Sequence, residues 1–311
     1  MKKAVIALGG NAILPKGSSG DIHEQFANTR KSVKSILHFL NQGYRIAITH
    51  GNGPQAGNEL VRNECARDIV PELPLGVIVA ATEGWMGYMI EQSLQNALIK
   101  NGINREVVTI PTQIIVDKDD PAWNNPTKPI GRFMTEEEAR VLMERGIPVI
   151  EDAGRGWRRV VPSPDPKEIV EKNVIKELVE SGHIVIAAGG GGMPVYIEED
   201  GTFEGLDGVI DKDLASAVLA RDIEADILVI LTAVPCVYLN FGKPDQKPLR
   251  ELKLAEARRL LEAGEFPKGS MGPKIEAACR FIEYGGKEVL ITSLDTVDTA
   301  LAGNEGTRIT E

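Results

Sequence analysis

Apolar residues in this chain fall into short, nearly unbroken runs, separated by longer stretches in which they recur at helical spacing. The runs span residues 3–8, 45–49, 106–110, 147–150, 184–188, 227–231 and 288–292, are rich in Val and Ile, and are bounded by Gly or Pro. Strands that are apolar on both faces suit a parallel sheet covered by crossover helices. Between the runs, Asp21 with Glu24 reads as a capping box that opens a helix to Asn41, with Gly43 as its stop. Thr135 with Glu138 opens another that ends near Gly146. Further helices are expected over 80–101, 166–181, 211–222, 254–263 and 273–284. The alternation predicts an α/β fold.

One segment departs from that rhythm. Residues 114–164 carry Pro121, Pro126, Pro129, Pro162 and Pro164, two tryptophans (Trp123 and Trp157) and the basic cluster Arg155, Arg158 and Arg159. By pattern alone it is either a decorated surface loop or a small excursion covering a site, since long irregular insertions are often lids.

At 311 residues and 42% hydrophobic, the chain has ample material for a core. Its formal net charge of −10 argues against electrostatic attraction to nucleic acid or anionic membrane, so an anionic ligand must be held by local donors. Cys65, Cys236 and Cys279 are widely separated and form no CxxC pair, which fits a reduced compartment. The apolar run after Met1-Lys2-Lys3 is too short for a signal sequence, and no stretch approaches a membrane span. The expectation is a cytosolic protein.

Three of the runs stop on residues that bare the backbone: Gly9-Gly10-Asn11, Gly51-Asn52-Gly53 and Gly189-Gly190-Gly191-Gly192. Converging at one sheet edge, such loops would offer backbone N–H donors to a phosphate. Any one of them is equally well a tight turn from strand to helix. The familiar nucleotide signatures fail on inspection. Gly264 to Gly269 has the spacing of a Walker A loop, but Ser270 stands where lysine is needed. Gly51, Gly53 and Gly57 approach a dinucleotide fingerprint, one residue too long and without the ribose-binding acid.

Lysines complete the chemistry. Lys212 lies between Asp211 and Asp213 at a helix start, where the helix dipole accounts for the acids but not for the cation. Lys274 falls in the first turn of a second helix, and Lys128 sits between Pro126 and Pro129 in the excursion. Phosphoryl transfer spreads negative charge over the equatorial and departing oxygens, and fixed cations lower that barrier without covalent chemistry.

Taken in order, Ala4 to Ala12, Thr49 to Gln55, Ala187 to Pro194, Val209 to Ala215 and Lys268 to Lys274 resemble the motifs of carbamate kinases, in the amino acid kinase superfamily. The resemblance runs through essentially the whole chain. It implies one domain over 1–311, an open αβα sandwich with a mostly parallel central sheet and a small protruding lid subdomain at about 114–164. The 1–180 half would take the acceptor and the 181–311 half the nucleotide. It further implies a homodimer, ATP and ADP as substrates with Mg²⁺, and reversible conversion of carbamate to carbamoyl phosphate.

By the same likeness, Gly9, Gly10, Asn11, Gly51, Asn52 and Gly53 would hold the acceptor and the moving phosphoryl group. Lys212 and Lys274 would neutralise phosphate charge, with Asp213 as their organiser. Thr232, Ala233, Val234, Tyr238 and Met271 would line the nucleotide pocket, with Lys212 and Lys274 reaching the phosphates, and His50 would order its loop. The wider superfamily carries a lysine in the first strand where this chain has Ala7. The carbamate kinase resemblance names Lys128, delivered by the excursion, as the replacement. No Asp or Glu is assigned to the metal. A nucleotide-binding sensor without turnover, another carboxylate kinase of the superfamily and a nicotinamide-dependent oxidoreductase remain as competing readings.

Overall fold

A computed structural model describes residues 1–15, 18, 20–151, 156–267 and 269–311, and of Asn11 only the backbone. Arg155 of the predicted basic cluster and Lys268 of the last motif lie outside the described residues.

The chain opens with β1 (Lys3–Leu8), α1 (Ile22–Asn41), β2 (Arg45–His50), α2 (Gly53–Ala66), α3 (Leu75–Lys100) and β3 (Val107–Thr109). There follow β4 (Gln113–Ile115), β5 (Lys128–Met134), α4 (Glu136–Glu144), β6 (Val149–Glu151), β7 (Trp157–Val161) and β8 (Glu168–Ile169). Next come α5 (Lys172–Ser181), β9 (Ile184–Ile186), β10 (Met193–Ile197), β11 (Phe203–Gly205), α6 (Lys212–Asp222), β12 (Ile227–Thr232), β13 (Val237–Leu239) and β14 (Lys247–Leu249). The chain closes with β15 (Glu251–Lys253), α7 (Leu254–Glu262), α8 (Met271–Glu283), β16 (Glu288–Ser293), α9 (Val297–Leu301) and β17 (Thr307–Thr310).

The central sheet has eight strands in the order β15-β17-β16-β12-β1-β2-β9-β3, and its one antiparallel pair is β16 with β17. From Ala4 to Leu8, β1 is wholly buried, as a middle strand apolar on both faces must be. Val5 and Ala7 join the cluster beneath α5, α6 and α8, whereas Ala4, Ile6 and Leu8 join the cluster beneath α1 and α3. One strand thereby serves two helical layers, which makes the αβα sandwich. Asp21 caps α1 by accepting from the His23 N–H at 2.8 Å, and Thr135 with Glu138 forms the capping box of α4.

Three expectations need correction. The run 147–150 is not a strand of the parallel sheet; its strand, β6, belongs to a separate antiparallel sheet ordered β5-β7-β6, with α4 beside it. The excursion is therefore regular structure, and its sheet spans 128–161, not 114–164. The early part packs elsewhere: Trp123 lies against Gly208 on the body, and β4 pairs with β10 and β8. Finally, the helix expected from Pro166 starts at Lys172, because the Lys167 and Val170 N–H groups donate to Ile115 and Gln113 carbonyls at 2.8 and 3.0 Å. Tertiary strand pairing overrides a helical pattern there.

A third apolar cluster joins the small sheet to the body. Ile130 and Val161 of the sheet pack with Ala56 and Leu60 of α2, Ile78 and Val79 of α3, and Val209.

Candidate active site

The order β12-β1-β2-β9 places four neighbouring parallel strands with their carboxyl ends along one edge, where ligands of open α/β sheets bind. Those ends carry Thr232-Ala233-Val234, Gly9-Gly10-Asn11, Gly51-Asn52-Gly53 and the glycine tetrad. Closeness is enforced by the absence of side chains. A Cβ on Gly9 would stand 2.7 Å from the Leu231 carbonyl oxygen and 3.9 Å from Cα of Thr232, and one on Gly51 would stand 3.8 Å from N of Gly10. Among the described residues nothing lies within 4 Å of a Cβ placed on Gly10, so that turn faces open space.

The expected cradle of backbone donors is only partly present. Gly51 N–H donates to the Leu8 carbonyl at 3.3 Å. Gly189 N–H donates to Glu83 at 2.9 Å, and the Gly191 and Gly192 N–H groups close turns onto Ala188 and Gly189 at 3.2 and 2.9 Å. The tetrad is buried and serves as packing: Cβ atoms on Gly189, Gly190 and Gly191 would strike His50, Asn52 and Ile210. Asn52 precedes α2 and turns its amide to Thr82 Oγ1 at 2.9 Å. Gly53 opens that helix, whose N-terminal partial charge faces the same edge. Of Asn11, only the backbone is described.

The lysines converge. α6 begins after Asp211, whose Oδ1 accepts from the Asp213 N–H at 2.9 Å while Oδ2 takes the Lys128 ammonium. Lys212 pairs with Asp213 Oδ1, and Lys274 of α8 reaches Asp213 Oδ2 at 2.8 Å. Ser216 Oγ lies 2.6 Å from Thr49 Oγ1, which fastens this end of α6 to β2. The aliphatic part of Lys212 passes Gly51, where a Cβ would meet Cδ at 3.4 Å. Two aspartates thus hold three cations from three separate elements beside the glycine turns of β1 and β2.

Burial sets the electrostatics. It opposes the charge on Asp213, but Lys212 and Lys274 overcome it and hold the carboxyl well below the usual range. Burial, with repulsion from Lys274, lowers the Lys212 ammonium against the pull of Asp213. For Lys274 the attraction of Asp213 outweighs burial, and the ammonium is raised. Asp211 is lowered: burial works against its charge, and Lys128 prevails. Asp211 is the residue that sequence reasoning missed. The helix dipole accounts for it as an acid at a helix start, and its second role depends on a contact 83 positions away.

Of the residues expected to line a nucleotide pocket, Thr232 and Val234 are half-buried and Ala233 is exposed beyond β12. Met271 packs against the core beneath α6 and α8. Tyr238 lies on the β13–β14 ribbon with its ring 5.9 Å from that of Phe241. A cavity of about 780 Å³ opens between α3 and the β10–β11 hairpin, lined by Pro74, Val77, Met193 and Phe203; none of the three lysines lines it. No group of three or more potential metal ligands occurs among the described residues, and no helix among them is long and apolar enough to cross a membrane.

The small sheet sits on the body through backbone contact. A Cβ on Gly57 of α2 would fall 1.9 Å from Cα of Gly131 in β5. Arg159 of β7 reaches Glu64 of α2 at 2.5 Å, and Arg158 donates to the Gly131 carbonyl at 3.0 Å.

Known proteins resemble this chain over its full length. The model of the amino acid kinase family matches residues 2–293. A carbamate kinase of Thermococcus kodakarensis is 52% identical over 313 residues, covering 99% of each chain. Carbamate kinase of Giardia lamblia bound to citric acid superposes with a TM-score of 0.94 at 45% identity, covering 99% of this chain and 98% of that one. The same enzyme bound to AMP-PNP gives 0.91 at 46% identity, with the same coverage. Full-length likeness at this identity leaves no room for the nicotinamide-dependent reading. The chain belongs to the amino acid kinase family and, within it, to the carbamate kinases.

Proposed function

We propose that the chain catalyses reversible phosphoryl transfer between ATP and carbamate, giving ADP and carbamoyl phosphate. The observation that carries this reading is the meeting of Lys128, Lys212 and Lys274 on Asp211 and Asp213, beside the open turn at Gly10. Kinship with carbamate kinases selects the acceptor.

In the forward direction a carbamate oxygen attacks the γ-phosphorus. The new O–P bond forms as the bond to the bridging oxygen breaks, and the electron pair departs on ADP. Carbamate is already an anionic nucleophile, so no proton has to be removed. His50, buried and neutral, is not needed as a base. Gly9, Gly10, Asn11, Gly51, Asn52 and Gly53 border the acceptor and transferring group in this reading, with the α2 N-terminus supplying partial positive charge. Lys212 and Lys274 bind nucleotide phosphates, Lys128 completes the set from the small sheet, and Asp213 spaces the cations. Thr232, Ala233, Val234, Tyr238 and Met271 line the nucleotide side.

Mg²⁺ fits as a companion of the nucleotide. Asp211 and Asp213, the carboxylates at the cluster, are already paired with lysines, and Mg²⁺ characteristically leans on substrate phosphates and water. When bound, it would neutralise phosphate charge. A homodimer belongs to the same reading. Ile69, Val70, Leu73 and Val77 expose apolar side chains in succession from the end of α2 into α3, and a patch of that kind favours burial against a second copy. A cytosolic location is the accompanying expectation.

The test is ATP formation from ADP and purified carbamoyl phosphate, with acetylglutamate and ATP as the control acceptor reaction. ATP from carbamoyl phosphate supports the assignment; phosphorylation of acetylglutamate alone overturns the acceptor. Full turnover in a Lys128→Ala variant would remove Lys128 from the mechanism.

A further inference from the structure

Two buried polar atoms near the tetrad have no hydrogen-bond partner among the described residues: Nε2 of His50 and Oε2 of Glu83. His50 ends β2, Glu83 lies on α3, and both residues are essentially inaccessible. They press on one glycine. A Cβ on Gly189 would come within 2.4 Å of His50 Nε2 and 2.9 Å of Glu83 Cγ.

The other end of each group is occupied, and that fixes what the orphaned end can do. Gly189 N–H donates to Glu83 Oε1 at 2.9 Å, so Oε1 is the acceptor of the carboxyl. His50 Nδ1 faces the Gly51 carbonyl at 3.5 Å, and a carbonyl only accepts. A ring proton on Nδ1 satisfies that carbonyl and leaves Nε2 as a bare lone pair. An ionised Glu83 would set a second lone pair near it inside the protein, a costly arrangement. A protonated Glu83 supplies the missing donor.

We propose that Glu83 is a positioning residue that carries its proton on Oε2 and presents it to His50 Nε2 through one bridging water, so that α3 holds the turn His50-Gly51-Asn52 in place. Its neighbour on the helix acts on the same turn, since Thr82 Oγ1 accepts from the Asn52 amide at 2.9 Å. Burial raises Glu83 to about 8 against the pull of the nearby Thr112 dipoles and of the Gly189 N–H, with Glu171 adding to the rise; the Thr112 hydroxyl itself donates to the Ile110 carbonyl at 2.7 Å. Burial likewise lowers His50 to about 4, opposed by the Gly51 carbonyl and assisted by Lys212. The facing groups are thus His50 from β2, Thr112 from the segment after β3, Gly189 after β9 and Glu171 before α5, with Lys212 of α6 near His50. Displacing the turn would matter because Gly51 packs on Lys212 and beside Gly10. This inference rests on the reading of that turn as the acceptor side.

Kinetics and histidine spectroscopy test it together. With carbamoyl phosphate and ADP, the parent should lose kcat/KM for carbamoyl phosphate above about pH 8, as Glu83 ionises. Glu83→Gln keeps one acceptor and one donor but cannot ionise, so that alkaline fall should disappear. Glu83→Ala should raise KM for carbamoyl phosphate about tenfold, the scale of one lost buried hydrogen bond, with KM for ADP unmoved, and Glu83→Gln should restore it. An alkaline fall that persists in Glu83→Gln, or a Gln variant as impaired as Ala, overturns the proposal. If the variants fail to fold, ¹⁵N-histidine spectra of the parent decide: a proton-free Nε2 that does not titrate down to pH 5 supports it, and a protonated Nε2 refutes it. Failure of the carbamate reading would appear separately, as no ATP formed by the parent enzyme.

Discussion

Replacing Gly57 by alanine asks whether the contact of the small sheet with α2 sets the position of Lys128. Gly57 is in the first half of α2, where alanine is favoured over glycine by about 1 kcal/mol. Helix propensity alone therefore predicts a gain. The packing predicts the opposite, because the new methyl carbon would stand 1.9 Å from Cα and 2.1 Å from N of Gly131. Both are backbone atoms of β5 and cannot swing aside. Strand and helix must separate by about 1.5 Å to reach ordinary contact. Overpacking of this kind costs about 1–3 kcal/mol, so the clash cancels or outweighs the propensity and Tm should stay level or fall.

Activity should fall further than stability. Lys128 lies three residues before Gly131 on the same strand, and its ammonium rests on Asp211. Misplacing an aligned group by about 1 Å costs on the order of 10² in rate. The expected result is a drop in kcat of about that size, followed by coupling ATP formation from carbamoyl phosphate and ADP to NADPH production. ADP affinity by calorimetry should hold, since Thr232 and Met271 belong to other elements. A Gly57→Ala enzyme with kcat within about threefold of the parent, in which Lys128→Ala is still damaging, would refute the link between this contact and lysine placement.

Three further outcomes follow from the charge cluster and its surroundings. Lys212→Ala and Lys274→Ala should each lower kcat by about 10²–10³, measured in the same coupled assay, as expected for losing one fixed cation from a phosphoryl-transfer site. Asp213→Asn leaves two lysines largely buried without their shared carboxylate, and denaturant titration should show a loss of about 3–5 kcal/mol. The pH dependence of stability should differ between the parent and Glu83→Gln. From about pH 6.5 to 8 the folded chain keeps a proton on Glu83 that the unfolded chain has lost, and the contribution of His50, neutral when folded and partly charged when unfolded at the lower end of that window, is common to both proteins and cancels. Stability therefore declines as pH rises, by about 1.4 kcal/mol per unit relative to Glu83→Gln, and equal slopes in the two proteins would contradict a buried neutral carboxyl.

The parallel sheet was legible because buried strands write their own pattern. Residues 3–8, 45–49, 227–231 and 288–292 are apolar runs that no amphipathic helix would carry, and the strands follow them within a residue. Residues 147–150 show the limit of that signal. A short apolar run reports that a strand is covered, not by which sheet, and β6 joins a local antiparallel sheet. The glycine turns were legible as places of close approach, but their purpose was not. Whether a glycine frees an N–H for a ligand or makes room for a neighbour depends on residues far away in sequence. Gly189 and Gly190 make room for His50 and Asn52.

On the proposed role of Lys128 in place of a first-strand lysine, a physical consequence follows from where each residue sits. Ala7 is wholly buried in β1, among the residues that pack beneath α6, and a cation there would be fixed to the stiffest part of the sheet. Lys128 comes instead from a sheet held to the body by one apolar cluster, one close glycine contact and a few ion pairs. Its position is therefore coupled to how that sheet lies on α2. Asp211 gives the ammonium a partner when no phosphate is present, and an incoming phosphoryl group must compete with that carboxylate for it. In the proposed mechanism, stabilisation of the transition state is thereby tied to the docking of the small sheet, which a lysine on β1 would not require.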